Sequence, residues 1–251
     1  MSVRSSARPD QSPSAGQASI APDAAQTYWE EVNRSDWSRY LTAIEKRAVT
    51  LAAEAAGGRG VSLEIGCDGG RWSCMLAEQG WKVLCTDTRK EALELTKHRL
   101  PQARCLLVNP TDTTLPCEAE SINLLLCVEV EAVSNRDWFI PEAARVLKRG
   151  GVVMTTLLNR SSLRALVHAS RKRNPSKPGS LGRYEVAYGV WRRALVQSGL
   201  RPIYEQGFCW APFSRNSNSR AISWFVGAER LLGLHRLTTI SPWVAAVAQK
   251  S

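Results

Sequence analysis

Apolar positions recur along the chain in two alternating rhythms, and their order predicts a sheet wrapped by helices. Residues 61–65 (VSLEI) place Val61, Leu63 and Ile65 around one acid, the content of a short buried strand. A glycine-rich turn follows, and Ser73, Met75, Leu76 and Ala77 continue at helical spacing, so the stretch reads as strand, turn, helix. The alternation repeats: a strand at 82–86, a helix at 90–100 stopped by Pro101, a strand at 104–108 and a turn-rich NPTDTTLP segment. Residues 121–130 (SINLLLCVEV) form a continuous apolar run suited to a central parallel strand. A helix at 138–147, a turn at Arg149-Gly150-Gly151 and a strand at 152–158 complete this region. Such alternation argues for a doubly wound α/β sheet with right-handed crossovers.

The flanks read differently. Residues 1–26 are rich in Ser, Ala and Pro, with few bulky apolar side chains to offset their ordering entropy, and predict a disordered tail. They lack the apolar core of a secretory signal. From 27 to 251 the pattern is that of a single domain. Its residues 28–56 predict one or two amphipathic helices on a face of Tyr28, Trp29, Val32, Trp37, Leu41, Ile44, Ala48 and Leu51, ended by glycines before 61. Past Asn159 come a helix at 161–170, a basic Pro- and Gly-broken loop at 171–183, a helix at 184–198, and strands at 202–208 and 243–248. The insert between those strands, residues 209–242, is far longer than the two to five residues of an ordinary hairpin. It carries WAPFSRNSNS and a helix near 221–232, and is expected to cap a substrate pocket.

Composition narrows the class. A chain of 251 residues with 44% hydrophobic content can bury one sizeable core. No apolar run approaches the ~20 residues that a membrane helix requires. The seven cysteines form no CxxC pair and sit in apolar stretches, as reduced thiols in a cytoplasmic protein would. The net charge of +10 is uneven, since residues 145–251 hold 18 Lys and Arg against 3 acids. That basic half suits nucleic acid, an anionic substrate or an acidic lipid surface, and equally a solvated arginine-rich face.

The chemistry concentrates at VSLEIGCDGGR, residues 61–71. A strand–glycine turn–helix junction presents backbone N–H groups at a helix start, and glycine lets a ligand approach closely. Asp87, 23 residues beyond Glu64, ends the next strand, which places a carboxylate in reach of a ribose held over the turn.

These motifs, in this order, resemble the class I S-adenosylmethionine-dependent methyltransferases, in particular the small-molecule group of the ubiquinone and menaquinone pathways. LEIGCDGGR is similar to the family's first motif, VLCTD to the acidic end of its second strand, and LLLCVEVEAV with RVLKRGGVVMTT to its fourth and fifth strands. The resemblance covers residues 61–208 and the closing strand. It implies a mostly parallel, Rossmann-like sheet of seven strands with the last reversed. It further implies that Glu64 receives the amino group of S-adenosylmethionine, that Gly66, Cys67 and Gly69 pass close to it, and that Asp87 takes the ribose hydroxyls. Adenine would lie near Thr88 and the 109–112 turn with Asp112, and Cys127 and Val128 would flank the sulfonium. Asp68 stands where the motif has its middle glycine, a position where Asp tolerates positive φ better than most residues. Its charge would sit beside the donor's ammonium.

Methyl transfer from a sulfonium needs in-line positioning and exclusion of water more than acid–base help. Where a base is needed, His168 and Tyr188 are the candidates, because both follow the fifth strand and run over the carboxyl edge of the sheet. No metal is expected. The acceptor implied is a small molecule, lipid-like in one version, methylated at oxygen or carbon. Two other classes stay open: an RNA- or protein-directed methyltransferase using the basic half, and a non-catalytic protein resting on an anionic membrane surface.

Overall fold

A computed structural model describes residues 34–171 and 184–251, with the side chains of 168–171 outside the described set. The expected tail, the aromatic residues Tyr28 and Trp29 with Val32, the side chain of His168 and nearly all of the basic 171–183 loop therefore lie outside the described residues.

The described chain opens with α1 (Asp36–Ala55), one continuous amphipathic helix. It continues through β1 (Val61–Ile65), α2 (Arg71–Glu78), β2 (Lys82–Asp87), α3 (Lys90–Arg99), β3 (Arg104–Leu107), β4 (Ile122–Cys127), the single turn α4 (Glu131–Ser134), α5 (Phe139–Val146) and β5 (Leu147–Leu158). Then come α6 (Leu163–Arg171), α7 (Tyr188–Gln197), β6 (Leu200–Phe208), α8 (Ala221–Leu231), a 3-10 turn at Leu234–Arg236 and β7 (Trp243–Lys250). The strands form one sheet in the order β3-β2-β1-β4-β5-β7-β6, with β7 antiparallel to both neighbours. The order of the strands reverses at β1, whose neighbours β2 and β4 both run parallel to it, and this opens a crevice at the carboxyl ends of the strands.

Alternation along the strands splits the core into two layers. Leu124, Leu126, Val152, Met154 and Val247 face α1, α2 and α3, whereas Leu125, Cys127, Val153, Val244 and Ala246 face α5 and α7. On β1, Leu63 and Ile65 join the second layer, so the intervening Glu64 points into the first. This parity decides which side of the sheet carries the site.

Two boundaries differ from the sequence reading. β5 begins at Leu147 because Gly150, at φ 76°, and Gly151 bend the strand through an irregularity beside Ile122 and Leu124 instead of interrupting it. The helix expected from 184 starts at Tyr188, because Val186 O accepts from Arg160 N at 3.0 Å and Ala187 is extended.

The 209–220 segment is tied to the first turn of α1. Trp37 N donates to Ser217 O at 3.1 Å, Asp36 N to Asn218 Oδ1 at 2.9 Å, and Ser38 Oγ to Arg215 O at 3.0 Å. The insert thus satisfies N–H groups that a helix start leaves without intrahelical partners. Trp37, 1% exposed, anchors the join by packing on Tyr40 and Phe213, with ring centroids 4.8 and 5.2 Å away. Replacing it (Trp37→Ala) is expected to cost about 3–5 kcal/mol in urea unfolding, the range for a buried aromatic removed from a core.

Candidate active site

β1 and β2 pair in parallel with Glu64 opposite Cys85 and Ile65 opposite Thr86, which brings the strand tips side by side. The turn between β1 and α2 then folds back on the β2 tip. Gly66 N and Cys67 N both donate to Thr86 O, at 2.8 and 3.0 Å, and Asp68 N donates to Asp87 Oδ2 at 3.0 Å. Gly70 N donates to Cys67 O at 2.8 Å, and Ser73 N to Glu64 Oε2 at 2.9 Å. These N–H groups are therefore spent within the turn. The expectation that the turn offers its N–H groups to a ligand is corrected for these five residues, and the close approach of a bare backbone remains. Gly66 sits at φ 66°, and a Cβ there would lie 2.6 Å from Val130 Cγ2. Asp68, at φ 47°, is held from behind by α3: Thr96 Oγ1 donates to its carbonyl at 2.8 Å, and Arg99 Nη1 to that of Gly69 at 3.1 Å.

Glu64 is buried, and its Oε2 also accepts the Ser73 hydroxyl. Burial pushes its carboxyl up to about 7, against the Ser73 hydrogen bonds and the nearby Arg71. Asp87 is buried as well, with Oδ1 accepting from Arg89 N at 2.9 Å and from Arg89 Nε at 3.4 Å. The same guanidinium reaches Asp68 Oδ1 at 2.6 Å, so Arg89 clips the two acids together.

A tight cleft of about 30 Å³ lies on the α1 side of the tips, lined by Glu64, Gly66, Asp68, Gly69, Val128 and Glu129, with Arg71 and Arg99 at its walls. Its space is that of a few waters. Next to it, Arg89 covers Asp87 from the solvent side with a side chain 57% exposed, a contact that is cheaply broken.

The structure does not gather every residue singled out in the sequence. Thr88 lies exposed just past Asp87. Asp112 spends its carboxylate inside its own turn, accepting from Asn109 N at 2.9 Å. That turn follows β3 and stays beside the β2 end, where Val108 N donates to Asp87 O at 3.1 Å. Cys127 faces the opposite layer, fully buried, with burial pushing its thiol up, so Val128 and Glu129 line the cleft in its place. Tyr188, the first residue of α7, is buried, and its hydroxyl donates to Glu205 Oε1 at 2.5 Å, away from the residues lining the cleft. Burial and Glu205 push that phenol upward.

Four residues about the cleft had no assigned role in the sequence reading: Glu45, Arg71, Arg89 and Glu129. Arg89 was legible as the cation two residues after the β2 acid. Glu45 was not, because only packing of α1 brings it to Arg71 Nη2, at 3.1 Å.

With this geometry in hand, the sequence model of the family described as "Methyltransferase domain" matches residues 63–155, the stretch from β1 into β5. Over that stretch the chain is similar to a methyltransferase domain. The chain is 33% identical over 103 residues to a ubiquinone biosynthesis O-methyltransferase of Rickettsia typhi, covering 39% of this chain and 41% of that protein. It is 28% identical over 101 residues to the enzyme of the same name from Pelagibacter ubique, covering 39% and 42%. The matches thus span about two fifths of the length of these curated relatives. Among solved structures, the fold is shared with geranyl diphosphate C-methyltransferase from Streptomyces coelicolor, at 14% identity and TM-score 0.56 over 86% of this chain and 82% of that one. A sarcosine dimethylglycine methyltransferase so described from Galdieria sulphuraria gives 14% and 0.56 over 88% and 91%.

The raised Glu64 carboxyl makes a pH-dependent contribution whose sign is fixed. The folded protein binds the proton more tightly than the unfolded chain, so stability present below about pH 4.5 is lost as the pH rises through about 7. Denaturant unfolding should show the wild type losing on the order of 3 kcal/mol across that window relative to Glu64→Gln, which has no proton to release.

Proposed function

We propose that the chain binds S-adenosylmethionine in the Glu64–Glu129 cleft and transfers its methyl group to a small-molecule acceptor at oxygen or carbon. The observation that carries this reading is the pair of buried carboxylates at adjacent strand tips, one on each side of a turn that a side chain at Gly66 would block. Glu64 fits an ammonium group: it is a buried carboxylate whose hydrogen bonds among the described residues come from Ser73, and a cation beside it would hold it ionised. Asp87 fits a ribose diol once Arg89 swings outward. Thr88 and the Asn109–Asp112 turn border the space left for adenine, and Gly66, Cys67 and Gly69 floor the cleft.

The bound donor supplies an electrophilic methyl group without help from the protein. What the residues contribute is alignment and dryness. Val128 and Glu129 wall the end of the cleft beyond β4. The 209–242 insert caps it from outside, since Arg215 reaches down to bond Glu129 while the Arg215 carbonyl is held by α1. Where the acceptor's proton must leave, the cleft carboxylate Glu129 is the better placed acceptor of it, in preference to Tyr188, whose hydroxyl is engaged by Glu205.

A lipid-like acceptor, met at an anionic membrane surface, suits the exterior of the cap. Trp224, Leu231 and Leu232 stand 71%, 88% and 69% exposed beside Arg220, Arg230 and Arg236. An apolar stripe with flanking cations is the composition of an interfacial helix. No helix among the described residues is long and apolar enough to cross a membrane.

Calorimetry with S-adenosylhomocysteine and, separately, NADH tests the reading. Wild type should bind the first and ignore the second, and Glu64→Gln and Asp87→Asn should each weaken binding roughly 10- to 100-fold, the worth of a hydrogen bond to a charged group. Binding of NADH instead would overturn the assignment.

A further inference from the structure

The outer wall of the cleft is closed by four charges from four separate parts of the chain. Glu45 comes from α1, Arg71 from the start of α2, Glu129 from the turn after β4, and Arg215 from the segment before α8. Arg71 donates through Nη2 to Glu45 Oε2 at 3.1 Å and through Nη1 to Thr42 Oγ1 at 3.2 Å, with its guanidinium 4.2 Å over the Trp72 ring. Arg215 donates to Glu129 Oε2 and lies 5.4 Å over the ring of Trp243. Glu129 is itself pinned in a left-handed conformation, φ 57°, by donation of its N–H to Thr156 Oγ1 at 2.7 Å.

One atom in this arrangement is left over. Glu45 Oε1 is buried without a hydrogen-bond donor, and the group set against the Glu45 carboxyl is the carboxylate of Glu129. Two buried carboxylates in contact repel, whereas a carboxyl and a carboxylate share one proton in a strong hydrogen bond. The charged groups that face Glu45 are Glu129, Arg71 and Arg215, and burial together with Glu129 outweighs the two arginines in holding its carboxyl well above the usual range.

We propose that Glu45 is a positioning residue: its buried carboxyl donates a hydrogen bond to Glu129, and so clasps α1, the cleft wall and the 209–220 segment together. The clasp deepens the reading of the cleft as a donor site, because it fixes the direction of Glu129, but it is a property of this chain with or without that reading. Raising the pH removes the proton to solvent and leaves a second negative charge against Glu129. The folded state binds this proton more tightly than the unfolded chain, so the clasp is complete at low pH and opens as the pH passes the raised value. Opening frees Arg215 and the segment that carries it.

Infrared difference spectra read the proton directly. At about pH 7 the wild type minus E45Q spectrum should contain the C=O band of a protonated carboxyl, and wild type minus E129Q should show that band displaced, because the buried Glu45 carboxyl loses its carboxylate acceptor. Glu64 contributes equally to all three proteins and cancels. Limited trypsin digestion reads the cap: between about pH 7 and 9, cutting after Arg215 should accelerate roughly tenfold more in wild type than in E45Q, whose amide donates at every pH. Absence of the carboxyl band from both difference spectra, or equal acceleration in the two proteins, overturns the clasp. Should E45Q fail to melt cooperatively, E129Q carries both measurements. Failure of the wild type to bind S-adenosylhomocysteine would sink the donor reading and leave these two readouts standing.

Discussion

A carboxylate buried at the end of β1 sets the conditions for everything built around it. Glu64 lies on the α1 side of the sheet among apolar neighbours, and among the described residues Ser73, through its N–H and its hydroxyl, compensates its burial with hydrogen bonds. Both donors come from the first turn of α2, so the position of that helix is fixed by the acid beneath it. The intervening residues must then close within a few ångströms, which forces Gly66 and Gly70 to positive φ, where Val130 and Thr96 leave no room for a Cβ. An apolar residue at 64 would pack this site at lower cost, because a buried charge with partial compensation is destabilising relative to a hydrophobic isostere.

The two sides of the cleft differ in how firmly they are closed. Arg89 bridges Asp68 and Asp87 from solvent, and such exposed pairs are worth about 0–1 kcal/mol. Arg215 and Glu129 are 24% and 6% exposed, and breaking one partner out of a buried pair costs about 3–5 kcal/mol. The Asp87 side therefore yields far more readily than the side toward the 209–242 insert. Anything entering past Arg89 meets a wall already set, the order of events that precise alignment of a bound molecule favours.

Much of this was legible in the sequence, and the reason is locality. The alternation of strands and helices, the order around β1, and the pair Glu64 and Asp87 all follow from period and spacing within about thirty residues, where backbone geometry leaves few options. The reversed last strand followed from the resemblance and is what the sheet shows. Other features failed for one reason. Cys127 was placed at the cleft because β4 ends there, but side chains alternate, and the residues after the strand face the cleft instead. Tyr188 and Asp112 have the right chemistry on the right edge, yet their polar atoms are consumed by Glu205 and Asn109, which a one-dimensional reading does not reveal. Glu45 and Arg215 lie 170 residues apart in the chain and are brought together by the packing of Trp37 on Phe213 and the hydrogen bonds between the first turn of α1 and residues 215–218.

The basic half also looks different once its partners are known. Part of its charge among the described residues is internal bracing: Arg164 binds the Ala211 carbonyl and the Cys209 sulfur, and Lys250 reaches the Leu147 carbonyl at 2.8 Å. Cations used in this way hold β7 and the insert to the rest of the sheet and cannot act as a broad electrostatic surface at the same time. The exposed cations on the cap are fewer, and they stand beside apolar side chains in a stretch whose one acid, Glu229, is turned inward to the N–H groups of Trp210 and Ala211. Charge arranged so is local and amphipathic. It differs in kind from the continuous basic track that follows a nucleic-acid backbone, where many phosphates must be met at once.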